Sequence, residues 1–176
     1  MEAQRALLAV LCFSSLAVPA LHECKEEYRK RRPTHTACKP PNKKCIVMKR
    51  SISPEERLLI LKTHNDYRSM VALGKLQGFP SAANMARLVW DEELTSVAQA
   101  KAEQCTSAKG EYNHDNRRDR FTTKFNAPGQ NLAFRGRNFS FSSTDWPGRI
   151  KEWFIEYEDY RGAALDSDLC PPRSLC

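Results

Sequence analysis

The sequence predicts a single exported domain with three helical segments, held together by disulfides. Three observations carry that reading. An apolar leader opens the chain, six cysteines follow it, and three segments of helical period lie between polar loops. The chain has 176 residues, 41% of them hydrophobic, with 8 Phe, 5 Tyr and 3 Trp. That is enough apolar material to bury a core, which excludes wholesale disorder. Seven Gly and 10 Pro exclude a collagen-like or low-complexity chain.

The leader occupies residues 1–20. Arg5 precedes an apolar run from Ala6 to Ala20, and Val18-Pro19-Ala20 ends it with a small residue at the cut. This is the pattern of a secretory signal. The run is too short for a hydrocarbon layer of about 30 Å, and no second apolar stretch follows, so no membrane span is expected. The mature chain then starts near Leu21 in an oxidising compartment, as a secreted protein. Cys12 leaves with the signal, and Cys24, Cys38, Cys45, Cys105, Cys170 and Cys176 remain. Six cysteines in an exported chain read as three disulfides, with 15 pairings open. None lies in a C-x-x-C, so a structural zinc site is unsupported.

The net charge of +7 is concentrated near the start. Residues 21–50 hold ten basic and three acidic residues, whereas residues 51–176 hold seventeen of each. The run Arg29-Lys30-Arg31-Arg32 lies in this segment. Such a cluster suits polyanions such as sulfated glycans. The plainer reading is a solvated extension pinned by disulfides. No aromatic ladder accompanies the charges, and export argues against nucleic acid.

Residues 21–52 are rich in Pro, Lys and Cys without apolar period, and read as an irregular extension. Ser53 opens the first helix, with Pro54 at its first position and Glu56 completing a capping box. It runs to about Leu73, with Leu58, Leu61, Tyr67 and Met70 near helical spacing, and Gly74 closes it. Leu88-Val89-Trp90 is open to a short strand. Asp91 caps the second helix, where Leu94, Val97, Ala98, Ala102 and Cys105 are expected to form a buried stripe. Residues 106–128 are polar and irregular, and order resumes at Gln130. The third helix starts at Thr144 or Asp145 and runs to Tyr160, with Ile150, Trp153, Phe154 and Tyr157 on one face. Glu152 and Glu156 lie four apart and share a side. The tail, 161–176, has no period.

Four segments now stand in order: His64-Asn65-Asp66-Tyr67-Arg68, Asn84-Met85 through Trp90, Gly129-Gln130-Asn131-Leu132-Ala133, and Trp153-Phe154-Ile155-Glu156 through Tyr160. Together they resemble the CAP superfamily of cysteine-rich secretory and pathogenesis-related proteins. His35-Thr36-Ala37-Cys38-Lys39 is similar to the extension of its antigen-five group, from arthropod venom and saliva. The resemblance covers about residues 24–160. It implies an α+β fold, an α-β-α sandwich, in which the three helices are the first, second and third of the family. It also implies the bridges Cys24–Cys38 and Cys45–Cys105. Tyr28 and Arg117 stand where the group usually carries a further bridge, and both cysteines are absent together.

The family cleft gathers two histidines and two acids. His114 matches the first histidine, Glu156 matches the acid on the third helix, and Gln130 stands where many members have the other glutamate. The second histidine belongs to a Gly-His-aromatic-Thr segment that this sequence lacks; its histidines are His22, His35, His64 and His114. The chain thus departs from the family after about Tyr160. The CAP domain over 53–160 is expected to be partial, with much of the sheet missing, and Cys170 and Cys176 match no family cysteine.

Plainer readings stand beside these. His64 reads as a helix-packing histidine. His114 serves equally as a loop histidine or an anion contact. Glu156 belongs to a helix already acidic through Glu152, Glu158 and Asp159. Asn138-Phe139-Ser140 is a glycosylation sequon. No nucleophile elbow, phosphate loop or complete metal set is present. The expected function is extracellular binding of a host protein, receptor or glycan, without catalysis. The alternatives are a lipid or sterol carrier and a metal-dependent hydrolase. No cofactor is expected, beyond weak zinc or another divalent ion at His114 and Glu156.

Overall fold

Among the described residues four α-helices form the frame: α1 (Glu26–Arg31), α2 (Pro54–Ala72), α3 (Glu92–Ala102) and α4 (Trp146–Ile155). A computed structural model describes residues 24–47, 49–105, 113–133 and 144–160. The leader, Asn138, Cys170, Cys176 and the tail lie outside the described residues.

Local chemistry sets the helix ends. At α2 the Ser53 hydroxyl accepts from the Glu56 amide at 3.2 Å, and Glu56 accepts from the Ser53 amide at 2.8 Å. This is a reciprocal capping box. At the other end Gly74 takes φ +65°, and the amides of Gly74 and Lys75 bond the carbonyls of Val71 and Met70. That is a Schellman closure, which a residue with a Cβ would strain. Asp91 caps α3 through the Leu94 amide at 2.9 Å, and Asp145 caps α4 through the Gly148 amide at 3.0 Å. Beyond Ile155 the chain tightens into a 3-10 helix over Glu156–Tyr160.

Two packed units result. In one, α2 lies on α4: Tyr67 stacks on Phe154 with centroids 4.1 Å apart, and the His64 ring is tilted 6.2 Å from Trp153. In the other, the extension docks on α3 and the 119–123 loop around Tyr28, Ala37, Ala100 and Phe121. Glu56 joins the units. It receives Lys49 from the extension and the Trp146 indole N–H, at 3.2 Å, from the start of α4.

Several expectations need correction. The extension is not irregular throughout. Residues 26–31 form a helix and Thr36–Cys38 a 3-10 turn. Glu26 and Glu27 in the first turn and Arg29 to Arg31 in the last complement the helix dipole, which a search for apolar period misses. Leu58 and Met70 are exposed, whereas Tyr67 packs on α4. Nine residues at 100° each place Leu58 and Tyr67 on opposite sides of α2. On α3 the buried positions are Val97 and Ala100, with Glu103 and Gln104 beyond, while Ala98 and Ala102 face solvent. The extension arrives over the Glu93–Val97–Ala100 side, and that fixes which stripe is buried.

Among the described residues there is no β-strand, so the sheet layer of the expected sandwich does not appear there. Leu88–Trp90 is extended but unpaired. Its place is held by Asn65, which accepts from the Leu88 amide at 2.8 Å and donates to the Leu88 carbonyl at 3.1 Å. Arg68 reinforces this by donating twice to the Ala86 carbonyl. The signature residues of 64–68 thus align a neighbouring segment. No described helix is long and apolar enough to cross a membrane.

Candidate functional site

The 113–116 and 130–133 segments face α4 across a cleft of about 470 Å³. His114, Gln130 and Glu156 all line it, with Arg149, Glu152 and Trp153. Their placement follows from the local fold. The Trp153 indole donates to the Leu132 carbonyl at 2.9 Å, tying α4 to the segment that carries Gln130. Glu152 and Glu156, one helical turn apart, then reach the same opening.

Gln130 is the centre of the polar network. Its Oε1 accepts from His114 Nδ1 at 2.9 Å, from the Asp115 amide at 3.1 Å and from Arg120 Nη1 at 3.3 Å. Its Nε2 donates to Asp115 Oδ2 at 3.2 Å. Because two other donors meet the same oxygen, His114 must also donate there, which leaves Nε2 as its basic nitrogen. An amide oxygen with two lone pairs is already over-subscribed by three donors.

Asp115 is the buried acid behind the cleft. Lys101 reaches its Oδ1 at 3.1 Å and Lys39 at 3.5 Å, while Thr36 donates to Oδ2 at 2.9 Å. Burial pushes this carboxyl up, but hydrogen bonds from Thr36, Lys101 and Gln130 outweigh it and hold the group below its ordinary range. Arg120 is pushed down, first by burial; its Nη1 donates to the Asp115 carbonyl at 2.8 Å.

The donor set does not fit a resident zinc ion. Zinc takes four ligands, or three from protein plus water. Gln130 has no lone pair to spare, Glu152 is paired with Arg149, and that guanidinium brings a positive charge into the cleft. Among the described residues no group of three or more His, Cys, Asp or Glu is placed to hold a metal.

The other singled-out residues are placed as follows. Cys24 is bonded to Cys38 and Cys45 to Cys105. His64 donates Nδ1–H to the Ile60 carbonyl one turn back at 2.8 Å. Tyr28 donates its hydroxyl to Glu93, and Arg117 donates to the Ala127 carbonyl at 2.8 Å. The run Arg29–Arg32 is partly engaged. Lys30 pairs with Glu26, Arg31 donates to Asn126 and covers the Phe121 ring at 4.2 Å, and Arg32 donates to Asp119 at 2.8 Å. Lys25, Lys39, Lys49 and Arg50 likewise pair with Glu93, Asp115, Glu56 and Glu103. Much of the extension's charge therefore neutralises acids of the body. Sequence reasoning missed Arg149 and Glu152 in the cleft and Asp115 behind it. The adjacency of Asp115 to His114, and the i, i+3 pair of Arg149 and Glu152 ahead of Glu156, were the available signals.

Comparison with known proteins shows the family. Residues 61–164 match CAP, the cysteine-rich secretory protein family. The chain is 33% identical to "Antigen 5 like allergen Cul n 1" of Culicoides nubeculosus, over 91% of its own length and 76% of that protein. It is 38% identical to "Venom allergen 5" of Vespula vidua, covering 72% of this chain and 62% of the relative. It is 37% identical to "CRISP/Allergen/PR-1" of Trittame loki over 78% of this chain, but spans only 33% of that protein. No solved structure gives a significant match. With a family match over more than half its length and relatives of the antigen-five kind, the chain belongs to the CAP family of cysteine-rich secretory proteins.

Proposed function

We propose that this chain is a secreted binding protein of the antigen-five type, and that its cleft binds without catalysing. Residues 1–20 direct export, 21–52 form the docked extension, 53–160 carry a partial CAP domain that lacks much of the family's sheet, and 161–176 are a divergent tail. Its target is an extracellular host protein, receptor or glycan. The observation that carries the reading is the state of Gln130, a neutral amide whose oxygen is consumed by internal hydrogen bonds, so that the cleft falls short of the three protein ligands a catalytic zinc takes. Calorimetric titration with zinc tests it. The expected result is weak or absent binding, unchanged in His114→Ala, with no metal-stimulated hydrolysis. Tight one-to-one binding lost in His114→Ala would overturn it.

A second reading, lipid carriage, is favoured by one observation. A further cavity of about 360 Å³ lies between α2 and α4, lined mostly by apolar side chains such as Tyr67, Val71, Met85, Leu88, Ile150 and Phe154, and also by His64, Arg68 and Asn131. Apolar walls of this kind suit an acyl chain or sterol. Mass spectrometry of lipid extracted from native protein decides. A stoichiometric lipid would make the chain a carrier.

A further inference from the structure

The docked extension closes on a histidine. His35 is fully buried, its ring stacked on Tyr28 at 3.9 Å and set edge-on to Phe121 at 4.7 Å. Both ring nitrogens are committed. Nδ1 accepts from the Ala37 amide at 3.1 Å, so Nε2 carries the proton and donates to the Phe121 carbonyl at 2.9 Å. A second proton could only go on Nδ1, where it would face the Ala37 N–H, donor against donor. We propose that the extension is a pH-sensitive latch, docked on the body while His35 is neutral and released when His35 takes up a proton.

The surrounding charges do not rescue the protonated form. Asp119 and Asp115 from the 113–122 stretch and Glu93 from α3 all favour it. Each is already compensated, Asp119 by Arg32 just past α1, Asp115 by Lys101 of α3 and by Lys39, and Glu93 by Lys25. Arg31 of α1 adds a positive charge over Phe121, and Arg120 another beside Asp115. The Tyr28 hydroxyl is spent on Glu93. Burial therefore prevails and holds His35 below its ordinary value.

The covalent layout permits release without unfolding the rest. Cys24–Cys38 closes a ring inside the extension, and Cys45–Cys105 ties the extension's far end to the chain just past α3. The segment before Cys45 can therefore leave as one stapled unit and stay tethered. Release would uncover Tyr28 and Phe121 and free Lys25, Arg31, Arg32 and Lys39 from the body.

Amide hydrogen exchange of the intact chain at pH 7.5 and pH 5.0, corrected for intrinsic rates, tests the latch. In the released state His35 titrates near its ordinary 6.5, so opening is favoured up to about thirtyfold at pH 5.0. Protection around Tyr28, Thr36–Cys38 and Phe121–Thr123 should fall by up to that factor, while α2 keeps its protection. His35→Asn retains an acceptor for the Ala37 amide and cannot titrate, so its latch should show no such fall. Unchanged protection in the wild type, or an equal fall in His35→Asn, overturns the proposal. Should the variant leave the latch open at both pH values, NMR titration of the wild-type His35 ring decides. Docked-state signals that lose intensity on acidification but keep neutral-imidazole shifts support the latch. Docked signals that move to imidazolium shifts at full intensity overturn it.

Discussion

Glu93 of α3 joins the extension to the loop after Phe121 through a single carboxylate. The Tyr28 hydroxyl of α1 donates to it. The same carboxylate receives Lys25 at 2.9 Å and the Thr123 amide at 3.0 Å. Burial pushes Glu93 up, but the bonds from Thr123, Tyr28 and Lys25 outweigh it and bring the group from 4.5 to about 2. A carboxyl lowered in the fold contributes stability that is complete above its ordinary value and lost as pH falls toward the folded one. The wild-type melting temperature should therefore drop between pH 5 and pH 2.5. Glu93→Gln should cost about 1–3 kcal/mol at pH 7 and show a shallower drop over that interval. Thermal melts at the two acid pH values measure both. None of this was legible in the sequence. Glu93 reads there as a first-turn acid of α3, since its partners lie 65 and 30 residues away. His114, Gln130 and Glu156 were legible only through resemblance to a family. What the resemblance could not supply was the use of Gln130's oxygen, which three donors from the 114–120 stretch settle in space.

Elements were legible where their signals are local. The Ser53–Glu56 box, the Asp91 cap and Gly74 mark helix ends within a few residues, and α2, α3 and α4 begin accordingly. The six-residue α1 was not, because one and a half turns carry no measurable period. Burial faces failed for a related reason: periodicity defines an apolar side but not which partner arrives. Ala98 and Ala102 satisfy a stripe on paper, yet the 3-10 turn Thr36–Cys38 packs against the neighbouring side, where Ala100 is fully buried. The disulfides connect elements at very different range. Cys45–Cys105 spans a sequence separation of 60 and Cys24–Cys38 one of 14. In the chain-entropy account the first is worth about 4 kcal/mol and the second about 3. Paired Cys→Ala replacement of Cys45 and Cys105 should therefore lower the denaturant midpoint more than replacement of Cys24 and Cys38. Equal losses would mean that packing, not loop closure, sets the difference.

At the scale of the molecule, the chain behaves as a body with a basic segment folded back over its acids. The arithmetic placed all the excess charge in residues 21–50, but could not say that much of it meets carboxylates of the body. Charge counts report sign and amount, whereas docking is a matter of geometry. The sheet layer was an expectation drawn from resemblance, and the described residues carry the helices around it instead. The basic run Arg29–Arg32 has one more implication. It lies inside the ring closed by Cys24 and Cys38, and arginines and lysines are the residues after which trypsin-like proteases cut. A cut within that run detaches nothing, because the bridge still joins the two new ends. Nicked protein differs from intact protein by one added water and migrates with it until the disulfides are reduced, so a cut at this end of the molecule stays hidden in a gel run without reductant.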